Sequence, residues 1–128
     1  VPTTLMHMHS ISVDLWRAAE SSPAISVEEV ADLFRSTTRI RMVYNSDGIR
    51  STAEILEYGK DLGNSRGDMP EVCVWKETIG LQNNKLFYLQ AIHQESDVVP
   101  ENIDAIRAAC KMCSGTESIR KTNTSLGV

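Results

Sequence analysis

From Pro2 to Leu15 the chain alternates with a period of two. Leu5, His7, His9, Ile11, Val13 and Leu15 fall on one side, and Thr4, Met6, Met8, Ser10, Ser12 and Asp14 on the other. That period predicts a β-strand whose two imidazoles project from one otherwise apolar face, largely buried in a sheet. A polar linker from Glu20 to Ala24 follows. Ser26-Val27-Glu28-Glu29 reads as a capping box, and Val27, Val30, Ala31 and Phe34 continue it as one helical stripe to about Ser36. Ile40, Met42 and Tyr44 alternate in a short strand that ends at the Asp47-Gly48 turn. A second capping box, Ser51-Thr52-Ala53-Glu54, opens a helix with Ile55, Leu56 and Leu62 as apolar positions and Gly63 as its C′ residue. Asn64 to Pro70 is a polar loop, and Glu71–Leu81 and Leu86–Gln94 read as strands around an Asn83-Asn84 hairpin turn. Pro100 suits the first turn of a final helix over 99–113, with Ile103, Ile106, Cys110 and Cys113 on its buried face. The order β-α-β-α-β-β-α predicts an α+β fold, a mixed or antiparallel sheet with helices on one face.

Composition narrows the function classes. A chain of 128 residues with 41% hydrophobic and 23% charged positions fits one globular domain that needs no disulfide or metal to build a core. The formal charge of −4 and the low aromatic content of 5% argue against nucleic acid as a partner. No apolar run approaches the roughly 20 residues needed to span a bilayer, so no membrane partner is expected. An odd cysteine count (Cys73, Cys110 and Cys113) suits a reducing, cytoplasmic setting. The chain opens inside a strand pattern without an initiator methionine, so it is expected to be the C-terminal piece of something longer.

Several groups invite chemistry. His7 and His9 could transfer protons or be core histidines bonded to backbone. With His93 they could form a three-ligand zinc site, but no carboxylate is obviously positioned to support it, and no metal is expected. Cys110-Lys111-Met112-Cys113 matches C-x-x-C, yet it lies late in a helix, where the dipole opposes thiolate formation, so a packing role is expected. Cys73, beside Trp75 in a strand, reads the same way. The run Gln90-Ala-Ile-His93-Gln94-Glu95-Ser96-Asp97 crowds polar side chains where a strand meets a helix, which suits either a ligand site or a solvated loop. There is no Gly-rich dinucleotide-binding fingerprint.

Val1-Pro-Thr-Thr-Leu-Met-His7-Met-His9, Asp47-Gly48 followed by Ser51-Thr52-Ala53-Glu54, Gln90 through Arg107, and Ser118-Ile-Arg-Lys-Thr-Asn123 together resemble the C-terminal catalytic-domain region of archaeal-type (type II) glyceraldehyde-3-phosphate dehydrogenase. The resemblance runs in order from Val1 to Leu126. It implies that residues 1–128 form part of that catalytic domain, with the final helix returning toward a dinucleotide-binding domain outside this chain. It also implies a phosphorylating oxidation of glyceraldehyde 3-phosphate with inorganic phosphate and NAD or NADP, in a cytoplasmic homotetramer. In that family a cysteine thiolate attacks the aldehyde and a histidine takes the proton as hydride passes to the nicotinamide. The first histidine of the M-H-x-H motif matches His7, which leaves His9 structural, and the glutamine of the H-Q-E-S segment that contacts cofactor matches Gln94. The family's Ser-Cys-Asn-Thr-Thr-Gly nucleophile segment is absent, so none of the three cysteines is promoted and the chain alone is expected to be inactive. The alternative from another class is a stand-alone α+β binding or regulatory module with a His-lined pocket.

Overall fold

The computed structural model describes residues 5–16 and 24–128. The elements are β1 (His7–Asp14), α1 (Val27–Ser36), β2 (Ile40–Val43), α2 (Thr52–Asp61), β3 (Val72–Trp75), β4 (Gly80–Gln82), β5 (Lys85–Ile92), α3 (Val98–Ala109) and α4 (Gly115–Leu126). The sheet runs β1-β5-β3-β2, with β4 hairpinned onto β5. β2 and β3 are parallel and the other pairs antiparallel, so the sheet is mixed, as the α+β reading required.

Local chemistry sets most element ends. Ser26 accepts from the Glu29 amide while the Glu29 carboxylate accepts from the Ser26 amide at 2.7 Å, a complete capping box. Ser51 caps α2 in the same way, but Glu54 reaches back to the Arg50 amide instead. At the other end of α2, Gly63 takes φ +83°, its amide donates to the Lys60 carbonyl, and Asn64 donates to Gly59, which makes a Schellman motif. Asn83 and Asn84 both adopt positive φ in the β4–β5 hairpin, as expected.

The expected strand over 71–81 is two. Lys76–Thr78 form a single 3₁₀ turn, so the pairing with β5 moves from Cys73 opposite Ala91 to Gly80 opposite Phe87. Thr78 holds this bulge by donating to the Trp75 carbonyl and accepting from the Leu89 amide. β1 begins at His7, because Leu5 takes φ +57° and points outward while Met6 turns into the core. Residues 2–4 of the expected strand and 20–23 of the expected linker lie outside the described residues.

Helices lie on both faces of the sheet, not on one. Ile55 and Leu56 of α2 pack with Val43, Cys73, Trp75 and Ala91. Val30 and Ala31 of α1 pack with Val74 and Leu86, flanked by Ile40, Met42, Val72 and Tyr88. These are the two alternating side-chain sets of the same strands, so α1 and α2 cover opposite faces. The last helix also divides. α3 stops at Ala109, and α4 follows after a turn in which Lys111 takes φ +52°.

Candidate functional site

β1 and β5 are antiparallel along their whole length, with His7 opposite Ile92 and His9 opposite Gln90. Cross-strand partners share a face, so the two histidines lie on the α1 side of the sheet. Their rings meet edge-on with centroids 6.5 Å apart, which confirms a common face. The expectation that this face is buried is not met, for both histidines are exposed. α1 packs over β2, β3 and β5, and β1 sits at the opposite edge of the sheet, beyond its cover. His9 is tied to its cross-strand neighbour, with Nδ1 3.4 Å from Nε2 of Gln90.

The register places His7 where β5 ends and the His93-Gln94-Glu95-Ser96-Asp97 turn begins. His93 faces the other side of the sheet, and its buried ring clamps the turn. Nδ1 accepts from the Met69 amide at 3.2 Å, and Ser96 Oγ lies 3.0 Å from Nδ1 and donates to the Met69 carbonyl at 2.9 Å. The Ser96 and Asp97 amides both donate to the His93 carbonyl, curling the chain back on the strand end. Gln94 and Glu95 are thereby left exposed at the tip. The structure therefore brings His7 and Gln94, remote in sequence, to one end of the sheet. It sends His93 elsewhere, so the three histidines do not converge. Among the described residues no group of three or more His, Cys, Asp or Glu side chains could hold a metal ion.

Asp97 is the residue that the reading of the sequence passed over. It is 6% exposed, and no side chain donates a hydrogen bond to its carboxylate. Burial pushes its pKa up to about 6, opposed by the Val98 and Asp97 amides and by the positive charge available on His7, while Glu101 adds to the rise. Composition marks such a residue only as one acid in a polar run. That it is buried depends on the packing at the start of α3, where Pro100 is also buried.

The cysteines divide differently from expectation. Cys73 is buried as foreseen, and desolvation, with Glu71 nearby, pushes its thiol up to about 12. Cys110 is exposed and Cys113 intermediate, so neither continues a buried stripe. Ile106, inside α3, is itself 62% exposed, so the expected stripe already faces outward before the helix ends at Ala109.

An α+β sheet segment with an exposed histidine at the mouth of a clamped polar turn is the class of site this geometry defines. No family model matches the chain. Over 128 residues it is 50% identical to the glyceraldehyde-3-phosphate dehydrogenase of Thermococcus onnurineus and 49% identical to that of Thermococcus kodakarensis, with all of this chain covered. It is 49% identical over 129 residues to the glyceraldehyde-3-phosphate dehydrogenase of Methanobrevibacter smithii. The chain spans 36% of the length of each of these relatives. It is thus homologous, along its full extent, to about a third of the length of these archaeal glyceraldehyde-3-phosphate dehydrogenases, as the motif resemblance anticipated. Among the described residues no helix is long and apolar enough to cross a membrane.

Proposed function

We propose that this chain is the C-terminal catalytic-domain segment of a phosphorylating, NAD(P)-dependent glyceraldehyde-3-phosphate dehydrogenase, in which His7 is the general base and Gln94 contacts the cofactor. The observation that carries the reading is the β1–β5 register, which sets the exposed His7 beside the turn that presents Gln94. Identity to relatives bearing that enzyme's name supports the activity assigned to the complete protein.

The exposed amide of Gln94 at a strand end, held by a buried His93–Ser96–Met69 clamp, fits a polar ligand that approaches from outside the sheet. When bound, NAD or NADP supplies a hydride acceptor. His7, exposed on a paired strand, removes the proton from the substrate oxygen as the hydride leaves, which needs an imidazole open to substrate and fixed in position. The thiol nucleophile comes from sequence outside this chain. Cys73 cannot serve, because Cys73 lies opposite Ala91 and Ala91 opposite Met8, so it sits on the other face of the sheet from His7. The same reading carries a cytoplasmic homotetramer acting on glyceraldehyde 3-phosphate and inorganic phosphate.

The test is an assay of the full-length protein with glyceraldehyde 3-phosphate, phosphate and either NAD or NADP. Phosphate-dependent reduction of one nicotinamide is expected, together with a protein mass that fits four chains. A full-length protein that reduces neither cofactor but still binds a small ligand would favour the binding-module reading.

A further inference from the structure

His93 is a buried titratable group that the chemistry outlined above does not use. It sits where the turn after β5 meets the loop that leads into β3, and it is 7% exposed. The Met69 amide hydrogen is aimed at Nδ1, which needs a lone pair there, so the neutral ring carries its proton on Nε2. A cationic ring carries N–H on both nitrogens, and two donors then face each other across that contact. Other partners for a new donor are already in place, with Ser96 Oγ 3.0 Å and Asp68 Oδ1 3.8 Å from Nδ1. Glu57 and Lys60 of α2, together with Arg66 and Glu95, line a cavity of about 400 Å³ with the ring. Lys60 pairs with Glu57 at 2.6 Å and Arg66 with Asp68 at 2.8 Å. On its own turn the ring's neighbour in charge is Asp97, whose amide donates to the His93 carbonyl.

We propose that His93 is a positioning residue for the cofactor-contacting turn: a neutral Nδ1 latches the turn, and protonation of the ring releases it. This inference rests on the reading of Gln94 as a cofactor contact. In the step, a proton from solvent bonds to Nδ1, the Met69 amide loses its acceptor, and the new N–H turns to Ser96 Oγ. Ser96 is also the donor to the Met69 carbonyl, so both ties between turn and loop pass through the same three residues. Met69 is fully buried, and Asn64 holds its loop by donating to the Asp68 carbonyl at 2.7 Å, so the turn is the part that gives way. Gln94 lies in the chain between His93 and Ser96 and moves with them. The ordered turn needs the neutral ring, so cofactor affinity is full above the range in which histidine titrates and falls as pH drops through it. By linkage, bound cofactor holds the ring neutral.

Cofactor titrations of the full-length protein across pH test this. The parent's dissociation constant should rise roughly tenfold between about pH 8 and pH 5. His93→Asn places an amide oxygen near the position of Nδ1, an acceptor that does not titrate. It should bind cofactor about as the parent does at pH 8 and lose most of the pH dependence. His93→Ala, with no acceptor, should bind roughly tenfold more weakly at every pH. A parent affinity that does not change with pH overturns the proposal. So does a His93→Asn variant that keeps the parent's profile, or one that binds as weakly as His93→Ala. Should the variants fail to fold, the parent decides alone, with its histidine ring nitrogens labelled for magnetic resonance. Nδ1 of His93 should be unprotonated at neutral pH and gain its proton in step with the loss of affinity. A protonated Nδ1 at neutral pH, or one that stays bare while affinity falls, overturns the latch. Unchanged cofactor binding in Gln94→Ala would reject the contact itself, and the nitrogen spectrum, which needs no cofactor, keeps that outcome separate.

Discussion

His7 and His9 share a strand, a face and an exposure class, and differ in what lies next to them. His9 faces Gln90 across the pair, whereas His7 stands opposite the last residue of β5, beside the turn that presents Gln94. The proposed general base is therefore His7 and not His9. In the full-length enzyme His7→Asn should lower turnover by about two to four orders of magnitude, the usual effect of removing a general base. His9→Asn should cost less than about tenfold, and equal losses in two folded variants would reject the asymmetry. Gln94 makes a second residue-level case. It is exposed at the tip of a turn whose anchors are His93 and Ser96, so its side chain can be shortened without loosening the clamp. Gln94→Ala should weaken cofactor binding roughly tenfold, about the 1.4 kcal/mol of one well-made hydrogen bond. A cofactor titration that matches the parent would remove Gln94 from the site.

At the level of elements, the joint between α3 and α4 is held by polar side chains. Asp104 on α3 accepts from Ser118 and from Thr122 at 2.7 Å on α4, and pairs with Arg39 at 2.7 Å, which also reaches Glu101 and Asn123. Partial burial would raise the Asp104 pKa, but the bonds from Ser118, Thr122 and Arg39 outweigh it and lower the value to about 2. A carboxylate whose folded pKa is depressed contributes stability that is present above its unfolded pKa and lost as pH falls through the folded one. The joint should therefore loosen between about pH 4 and pH 2, read as faster amide exchange across 98–126. Asp104→Asn should cost roughly 2 kcal/mol at neutral pH and flatten that acid dependence. A variant with the parent's acid profile would show that the joint is held by something else. This joint also explains why α4 was not legible in the sequence. Its inward positions are Ser118 and Thr122, so the helix carries no apolar stripe to count, although Ser114 and Glu117 do supply a local cap. Caps, the Schellman end of α2 and the asparagine hairpin were legible because each depends on neighbours within a few residues. The split of β3 from β4 was not, because Thr78 secures it through Leu89 on another strand. The exposure of His7 was hidden for the same reason. The alternation marked its face correctly, but which half of that face α1 covers depends on the strand order β1-β5-β3-β2.

At the scale of the whole molecule, the faces of the sheet decide what this chain can do by itself. Acyl-thioester chemistry needs a thiolate within reach of the base. Cys73 has no exposed surface, its thiol is pushed up to about 12, and its face is the one His7 does not occupy. Cys110 and Cys113 flank the turn between α3 and α4, a joint anchored by Arg39 just before β2, while His7 is on β1 at the other edge of the sheet. The histidine and the polar turn are thus at one end of the sheet, and the proposed dehydrogenase reading requires a nucleophile from outside this chain, which spans 36% of the length of its relatives. The isolated 128-residue chain should accordingly reduce no NAD or NADP with glyceraldehyde 3-phosphate and phosphate. Brief alkylation of the folded chain near neutral pH should leave Cys73 unmodified and modify Cys110 at the rate of an ordinary exposed thiol, with Cys73 becoming reactive only on unfolding. Hydride transfer by the isolated chain, or rapid stoichiometric labelling of one thiol, would mean that the base has a nucleophile of its own here and that the assignment to the longer protein is wrong.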